Sequence, residues 1–271
     1  MRVALIQVAS PESESVSKRR ERVRGMVADA ASQGAEFVVL PELWPSGYFA
    51  FDRYEQLAEP MNGETVSAMS EWARDLGVLL LGGSFLERGT GHNMHNTAVL
   101  FSAEGALLHA YRKVHVFGYQ SREASLLEPG ENVGVVDAGI GVIGTTTCYD
   151  LRFPEMYRLL VDQGAEIVAV PAAWPASRLA HWMLLTQVRA VENQVFMLAC
   201  NAVDVQAGVT LAGHSRVVDP WGVVLVEAGD DEQIILCDID RGRVPAVRKE
   251  FPVLEDRRLF VDATFRTIGD M

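Results

Sequence analysis

Short apolar runs bounded by Gly, Pro and polar clusters alternate along the chain with segments whose apolar positions recur every three to four residues, the rhythm of an α/β fold. Residues 3–8 read as a strand and 17–32 as a helix, with Val23, Met26, Val27 and Ala30 on one face and a stop near Gly34. A buried strand over 37–40 ends at Pro41; a second amphipathic helix spans 65–76 and leads into a strand over 78–81. From 84 to 109 the pattern changes to alternating runs separated by turns at Arg88-Gly89 and Glu104-Gly105, which predicts antiparallel hairpins. Strands at 133–136 and 142–147, a helix over 154–162, a strand at 167–170 and a helix over 181–192 follow. The chain then gives strands at 195–199, 216–218, 223–226 and 234–239, a short helix, and a tail from about residue 250. No Ser/Gly or Pro-rich linker interrupts residues 1–271, so a single domain is expected.

One segment occurs twice. Gln33-Gly34-Ala35-Glu36-Phe37-Val38-Val39-Leu40-Pro41-Glu42-Leu43-Trp44-Pro45 returns at 163–175 with eight of thirteen positions identical. In each copy a helix ends at Gly, a buried strand follows, and the chain turns at Pro before Trp-Pro, which predicts two similar halves. Glu42 stands where the second copy has Ala172. A carboxylate directly after a buried strand, with an apolar counterpart in the other half, is a candidate for chemistry.

Composition narrows the function. The chain carries 24 Lys and Arg against 36 Asp and Glu, a net charge of −12, which argues against a nucleic-acid or anionic-membrane partner because polyanions need a basic face. Apolar residues make up 49% and charged residues 22%, and at this length roughly 75% of the unfolded surface can be buried without a disulfide or metal staple. Three widely spaced cysteines, Cys148, Cys200 and Cys237, read as reduced thiols of a cytoplasmic protein. Neither a secretory leader nor a membrane-spanning run of about 18 apolar residues is found.

Gly139 to Gly144 matches GxGxxG, but the motif runs into a β-branched strand instead of opening a helix, so no dinucleotide cofactor is expected. His92 and His95 have no third ligand near in sequence, and no metal is expected either. Cys148 falls at a strand-to-helix bend with Pro154 at the first helical turn. Partly exposed there, near amides and a positive helix end, it would favour the thiolate; it could equally be a small core residue, the reading we give Cys200 and Cys237 in their apolar strands. A thiol nucleophile needs a proton acceptor and an oxyanion stabiliser, for which Glu42 and Lys113 are the candidates.

Pro41-Glu42, Tyr111-Arg112-Lys113-Val114-His115-Val116-Phe117 and Cys148-Tyr149-Asp150-Leu151-Arg152-Phe153-Pro154-Glu155, in this order, resemble the nitrilase (carbon–nitrogen hydrolase) superfamily. His181-Trp182, Arg189 to Gln194, Gly213-His214-Ser215 and Asp219-Pro220-Trp221-Gly222 are similar to its omega-amidase and small-amidase branch. The resemblance implies a four-layer αββα sandwich with pseudo-symmetric halves, and homodimers or larger oligomers. It also implies Cys148 as nucleophile, Glu42 as general base, and Lys113 with the backbone amide of Tyr149 as oxyanion stabilisers. Counting back seven residues from Gly130 makes Glu123 the second glutamate. For substrate we expect small aliphatic primary carboxamides, with Tyr48, Tyr149 and Trp174 as pocket walls. The alternatives are an omega-amidase acting on 2-oxo dicarboxylic monoamides, with Arg178 or Arg122 gripping the far carboxylate, or an amidase for deaminated glutathione. An N-carbamoyl amine hydrolase, a nitrilase and a silent scaffold stand further off.

Overall fold

The computed structural model describes residues 1–260; of the expected tail, residues 261–271 lie outside the described residues. The first half runs β1 (Arg2–Gln7), α1 (Val16–Ser32), β2 (Phe37–Val39), the single turn α2 (Tyr54–Leu57), α3 (Glu64–Leu76), β3 (Leu79–Arg88), β4 (Met94–Phe101) and β5 (Leu107–Arg112). The short α4 (Glu123–Leu126) leads to β6 (Val135–Asp137), β7 (Val142–Thr145), α5 (Pro154–Asp162), β8 (Ile167–Ala172), α6 (Leu179–Asn193) and β9 (Phe196–Asn201). A small hairpin, β10 (Val203–Gln206) and β11 (Val209–Ala212), precedes β12 (Arg216–Val218) and β13 (Val224–Glu227); β14 (Gln233–Asp238) and α7 (Arg243–Glu250) follow.

Two six-stranded sheets carry these strands in matching orders, β14-β1-β2-β3-β4-β5 and β6-β7-β8-β9-β12-β13. In each, three parallel strands (β1-β2-β3 or β7-β8-β9) are flanked by antiparallel neighbours. The repeated segment occupies the same place in both: α1 and α5 end at Gln33 and Gln163, Gly34 and Gly164 take φ of +85° and +95°, and β2 and β8 follow as the middle parallel strands.

Both faces of the inner strands are buried, which is why they read as continuous apolar runs. On the first sheet Val3, Leu5, Phe37, Val39, Leu79 and Leu81 join the core shared with the second sheet. Their alternating neighbours Ala4, Ile6, Val38 and Leu80 pack on Val23 and Val27 of α1 and Met69 and Trp72 of α3. α5 and α6 cover the second sheet through residues such as Leu160 and Trp182, so the layers run helix, sheet, sheet, helix. The sheets approach closely enough for the Cys200 thiol to lie 3.3 Å from the carbonyls of Ile6 and Val39. Each fully buried large apolar side chain contributes roughly 1.5–3 kcal/mol.

The structure departs from the sequence reading in three places. The strand expected to stop at 81 continues through a bulge to Arg88, because Gly82 and Gly83 bend it between Leu81 and Ser84. The β10–β11 hairpin was not expected: its strands are four residues long and turn at Ala207-Gly208, both with positive φ, where an Asn-Gly pair would have signalled it. Cys237 is half-buried on the flanking strand β14 and not, as expected, in the core.

The β3 bulge supports the loop carrying Glu42. Leu43 N–H donates to Ser84 Oγ at 3.0 Å, Trp44 Nε1 donates to the Gly82 carbonyl at 2.8 Å, and Ser84 N–H lies 3.3 Å from the Pro41 carbonyl. Gly83 has φ +66°, and a Cβ on it would stand 2.0 Å from that same Pro41 oxygen. Gly83→Ala should therefore cost about 2–4 kcal/mol in chemical denaturation and lower activity in the fraction that remains folded, since the chain at Pro41 must move.

Candidate active site

Four side chains from four elements converge at one end of the sheets. Glu42 follows β2, Lys113 follows β5, Cys148 follows β7, and Glu123 opens α4. The side chains of Glu42, Lys113 and Glu123 are fully buried. Lys113 Nζ donates to Glu42 Oε1 at 2.8 Å and to Glu123 Oε1 and Oε2 at 2.8 and 3.0 Å. Tyr48 Oη and Phe117 N–H also donate to Glu123 Oε2, at 2.9 and 2.8 Å. On Glu42, Asn96 Nδ2 shares Oε1 at 2.8 Å, and the Ala173 amide donates to Oε2 at 2.9 Å. That last bond joins the two copies of the repeat: the carboxylate present only in the first copy is held by the backbone of the second.

Cys148 begins a short 3₁₀ turn (Cys148–Arg152) and sits at φ +46°, a left-handed conformation that costs a non-glycine residue on the order of 1–3 kcal/mol. Buried Asp150 enforces the bend: its Oδ2 accepts from Thr147 N–H at 2.9 Å and from Tyr111 Oη at 2.6 Å, while His115 N–H donates to Oδ1 at 2.9 Å. One carboxylate thus ties the segment after Lys113 to the turn carrying Cys148.

Burial raises Glu42 above the ordinary carboxylate range, against the pull of Lys113. Burial alone would lower Lys113, but Glu123 and Glu42 outweigh it and hold the ammonium well above its usual value. Cys148 is only 8% exposed, and burial followed by the negative charge of Glu42 pushes its thiol well above the ordinary range. Of the two readings of Cys148 left open by the sequence, these directions disfavour the exposed thiolate: the side chain is buried, the 3₁₀ turn offers no long helix dipole, and a carboxylate raises the thiol. Both shifts favour the protonated forms, so the thiol holds its proton more tightly than a free cysteine and Glu42 is a stronger base than a free carboxylate.

A cleft enclosing about 350 Å³, counted to its open mouth, leads to Cys148. Tyr48, Tyr149, Trp174 and Arg178 line it as the sequence suggested, joined by Phe117 and Arg152. Arg178 lies over the Phe117 ring at 5.3 Å, and Arg152 over Trp174 at 4.7 Å. Arg122 is not in the cleft; it is exposed and pairs with Asp52 at the surface. Gly139 and Gly141 turn the chain from β6 into β7, as their strand context implied. Among the described residues no cluster of three His, Cys, Asp or Glu side chains could hold a metal, and no helix is long and apolar enough to cross a membrane.

The carbon-nitrogen hydrolase family model matches residues 2–249. The chain belongs to the carbon–nitrogen hydrolase family. It is a hydrolase acting on carbon–nitrogen bonds, on the omega-amidase branch of the nitrilase superfamily. It is 36% identical to the 2-oxoglutaramate amidase of Paenarthrobacter nicotinovorans over 263 residues, covering 94% of this chain and 89% of that protein. The human omega-amidase NIT2 is also 36% identical, over 267 residues and 95% of each chain. Among solved structures, Saccharomyces cerevisiae Nit3, described as a member of branch 10 of the nitrilase superfamily, superposes with a TM-score of 0.88 at 32% identity, covering 96% of this chain and 97% of that one.

In this carbon–nitrogen hydrolase, sequence reasoning missed Asn96, Arg152 and Asp150 as parts of the site. Asn96 was findable: the turn at Glu104-Gly105 sets a hairpin in which Thr97 pairs with Arg112, which places Asn96 beside Lys113. Lys113→Met would leave two buried carboxylates facing each other without their cation. It should cost about 3–5 kcal/mol in urea unfolding at pH 7.5. The cost should shrink toward pH 5.5, because burial raises Glu42 in the folded state and a carboxyl group so raised favours the folded protein as it takes up its proton.

Proposed function

We propose that this amidase is an omega-amidase that hydrolyses 2-oxo dicarboxylic monoamides such as 2-oxoglutaramate, in place of the short neutral amides expected from the sequence. The observation that carries this reading is a pair of cleft-lining guanidiniums. Among the described residues neither Arg152 nor Arg178 has a carboxylate partner, and Arg152 is lowered by burial and then by the neighbouring Arg178 charge. Two cations lying on aromatic faces beside the nucleophile suit a substrate with a carboxylate at the end away from its amide. The sequence reading weighed Arg178 as a carboxylate clamp against a solvated surface residue, and counted Arg152 only as part of a motif. The names of the relatives point the same way.

In the proposed chemistry Cys148 Sγ attacks the carboxamide carbon as its proton passes to Glu42. The oxyanion rests against Lys113 Nζ and the Tyr149 amide. Collapse breaks the C–N bond, Glu42 returns the proton to the departing ammonia, and a thioester remains. Water, losing a proton to Glu42, hydrolyses the thioester to carboxylic acid and free thiol. Hydrogen bonding supports Glu42 over Glu123 as the base. Among the described residues Glu123 accepts from Lys113, Tyr48, Phe117 and Asn96 and has no capacity to spare, whereas the hydrogen bond to Glu42 Oε2 comes from Ala173. Glu123 therefore positions Lys113.

We also infer a homodimer or larger assembly, for which Leu184, Val188 and Val191 form an exposed apolar stripe along α6 that continues onto Trp221 and Val223. The free thiols suit a reducing compartment, which supports a cytoplasmic location.

Ammonia release from 2-oxoglutaramate, butyramide and an N-carbamoyl amine tests the substrate, with Cys148→Ala as the inactive control. We expect kcat/KM for 2-oxoglutaramate to exceed that for butyramide by ~100-fold, about 2.7 kcal/mol of added transition-state binding. Arg178→Ala should remove most of that preference while leaving butyramide turnover within threefold. Equal rates for the two amides would return the assignment to neutral amides.

A further inference from the structure

Asn96 lies on β4, almost wholly buried, at the centre of the charged cluster. Its Nδ2 donates to Glu42 Oε1 at 2.8 Å and reaches Glu123 Oε1 at 3.3 Å. These are the two oxygens that Lys113 Nζ also binds. The Asn96 carbonyl accepts from Lys113 N–H at 2.8 Å, so one residue fixes three members of the cluster. Its Oδ1, by contrast, is buried with no hydrogen-bond partner among the described residues. Turning the amide over would set a carbonyl oxygen against two carboxylate oxygens, so charge fixes which way the group faces. A buried unpaired carbonyl is a standing cost, and here it accompanies a donor placed between two acids.

We infer that Asn96 is a positioning residue for the reaction: it holds Glu42 Oε1 so that Oε2 faces the Cys148 thiol, and it keeps Glu42 ionised as the proton acceptor. The inference rests on the reading of Glu42 as the base. Two carboxylates and one ammonium leave the cluster with one net buried negative charge, and a neutral amide donor stabilises that charge without cancelling it. A second cation in its place would quench the basicity that proton transfer requires, and an apolar side chain would leave Lys113 as the only side chain donating to Oε1. Hydrogen bonding to the ionised form lowers a carboxyl group's proton affinity, so losing the Asn96 donor raises Glu42 further above its already elevated position.

Asn96→Leu removes both donors at nearly constant volume, and Asn96→Ser retains one shorter donor. With 2-oxoglutaramate as substrate, we expect Asn96→Leu to lower kcat at least 30-fold with KM within threefold, and to move the acid limb of kcat/KM upward by half a pH unit or more. Asn96→Ser should fall between it and wild type on both readouts, and it decides the matter on the same two readouts if the leucine variant does not fold. A folded Asn96→Leu variant with wild-type kcat overturns the inference. So does a pH profile that superimposes on wild type with only its height reduced, the behaviour of a merely structural residue. Glu42→Gln, assayed alongside, separates the two levels: substantial activity in that variant sinks the general-base reading, whereas an inactive Glu42→Gln beside an unshifted Asn96→Leu sinks only the assignment of Asn96.

Discussion

One buried ammonium between two buried carboxylates constrains the rest of the site. Removing three ions from water costs several kcal/mol for each, and their mutual attraction repays this only when geometry is tight and the remaining lone pairs are satisfied. The protein meets that condition with neutral donors drawn from separate elements: the Tyr48 phenol, the Asn96 amide, and the backbone N–H groups of Phe117 and Ala173. Because these donors are shared unequally, Glu123 is saturated while Glu42 keeps accepting capacity on the oxygen away from Lys113. Chemically identical side chains thereby keep different hydrogen-bonding capacity and, in our reading, do different work.

Such an arrangement needs a rigid frame, and the paired halves supply one. The duplicated helix–strand–turn places Pro41-Glu42 and Pro171-Ala172 against each other, so the Glu42 carboxylate can take its hydrogen bond from Ala173 in the opposite half. The β3 bulge fixes the loop from one side, and Asp150 locks the Cys148 turn to the segment following Lys113 from another. The strained φ of Cys148 persists because these neighbours over-determine it. The apolar layers beneath are ordinary packing; their contribution to function is to keep four loops from four elements in fixed register.

How far the sequence discloses this depends on the range of the interaction. Strand–helix alternation, the repeat and the loop positions of Glu42, Lys113 and Cys148 are local features, and the periodicity exposes them. Glu123 was reached by counting from Pro129-Gly130, and the structure places it against Lys113. Three things were missed, two because they depend on contacts between distant segments and one because it lies in a hairpin without a motif of its own. Cys148 is raised rather than lowered because burial by distant segments, and after it the charge of Glu42 more than a hundred residues away, act on the thiol. Arg152 and Arg178 become a pair only when the 3₁₀ turn after β7 meets the loop before α6. Asn96 carries no motif at all, and only the hairpin register puts it beside Lys113.

The central claim is that the resting nucleophile is a neutral thiol whose proton Glu42 stands ready to take. Thiolate absorbance near 240 nm, recorded as wild type minus Cys148→Ala across the pH range, reads that state without turnover. The account predicts no Cys148 thiolate at pH 7–9 in the wild type, and a downward shift of its titration in Glu42→Gln, where the opposing negative charge is gone. A thiolate already formed at pH 7, or a titration that Glu42→Gln leaves in place or moves upward, would contradict it.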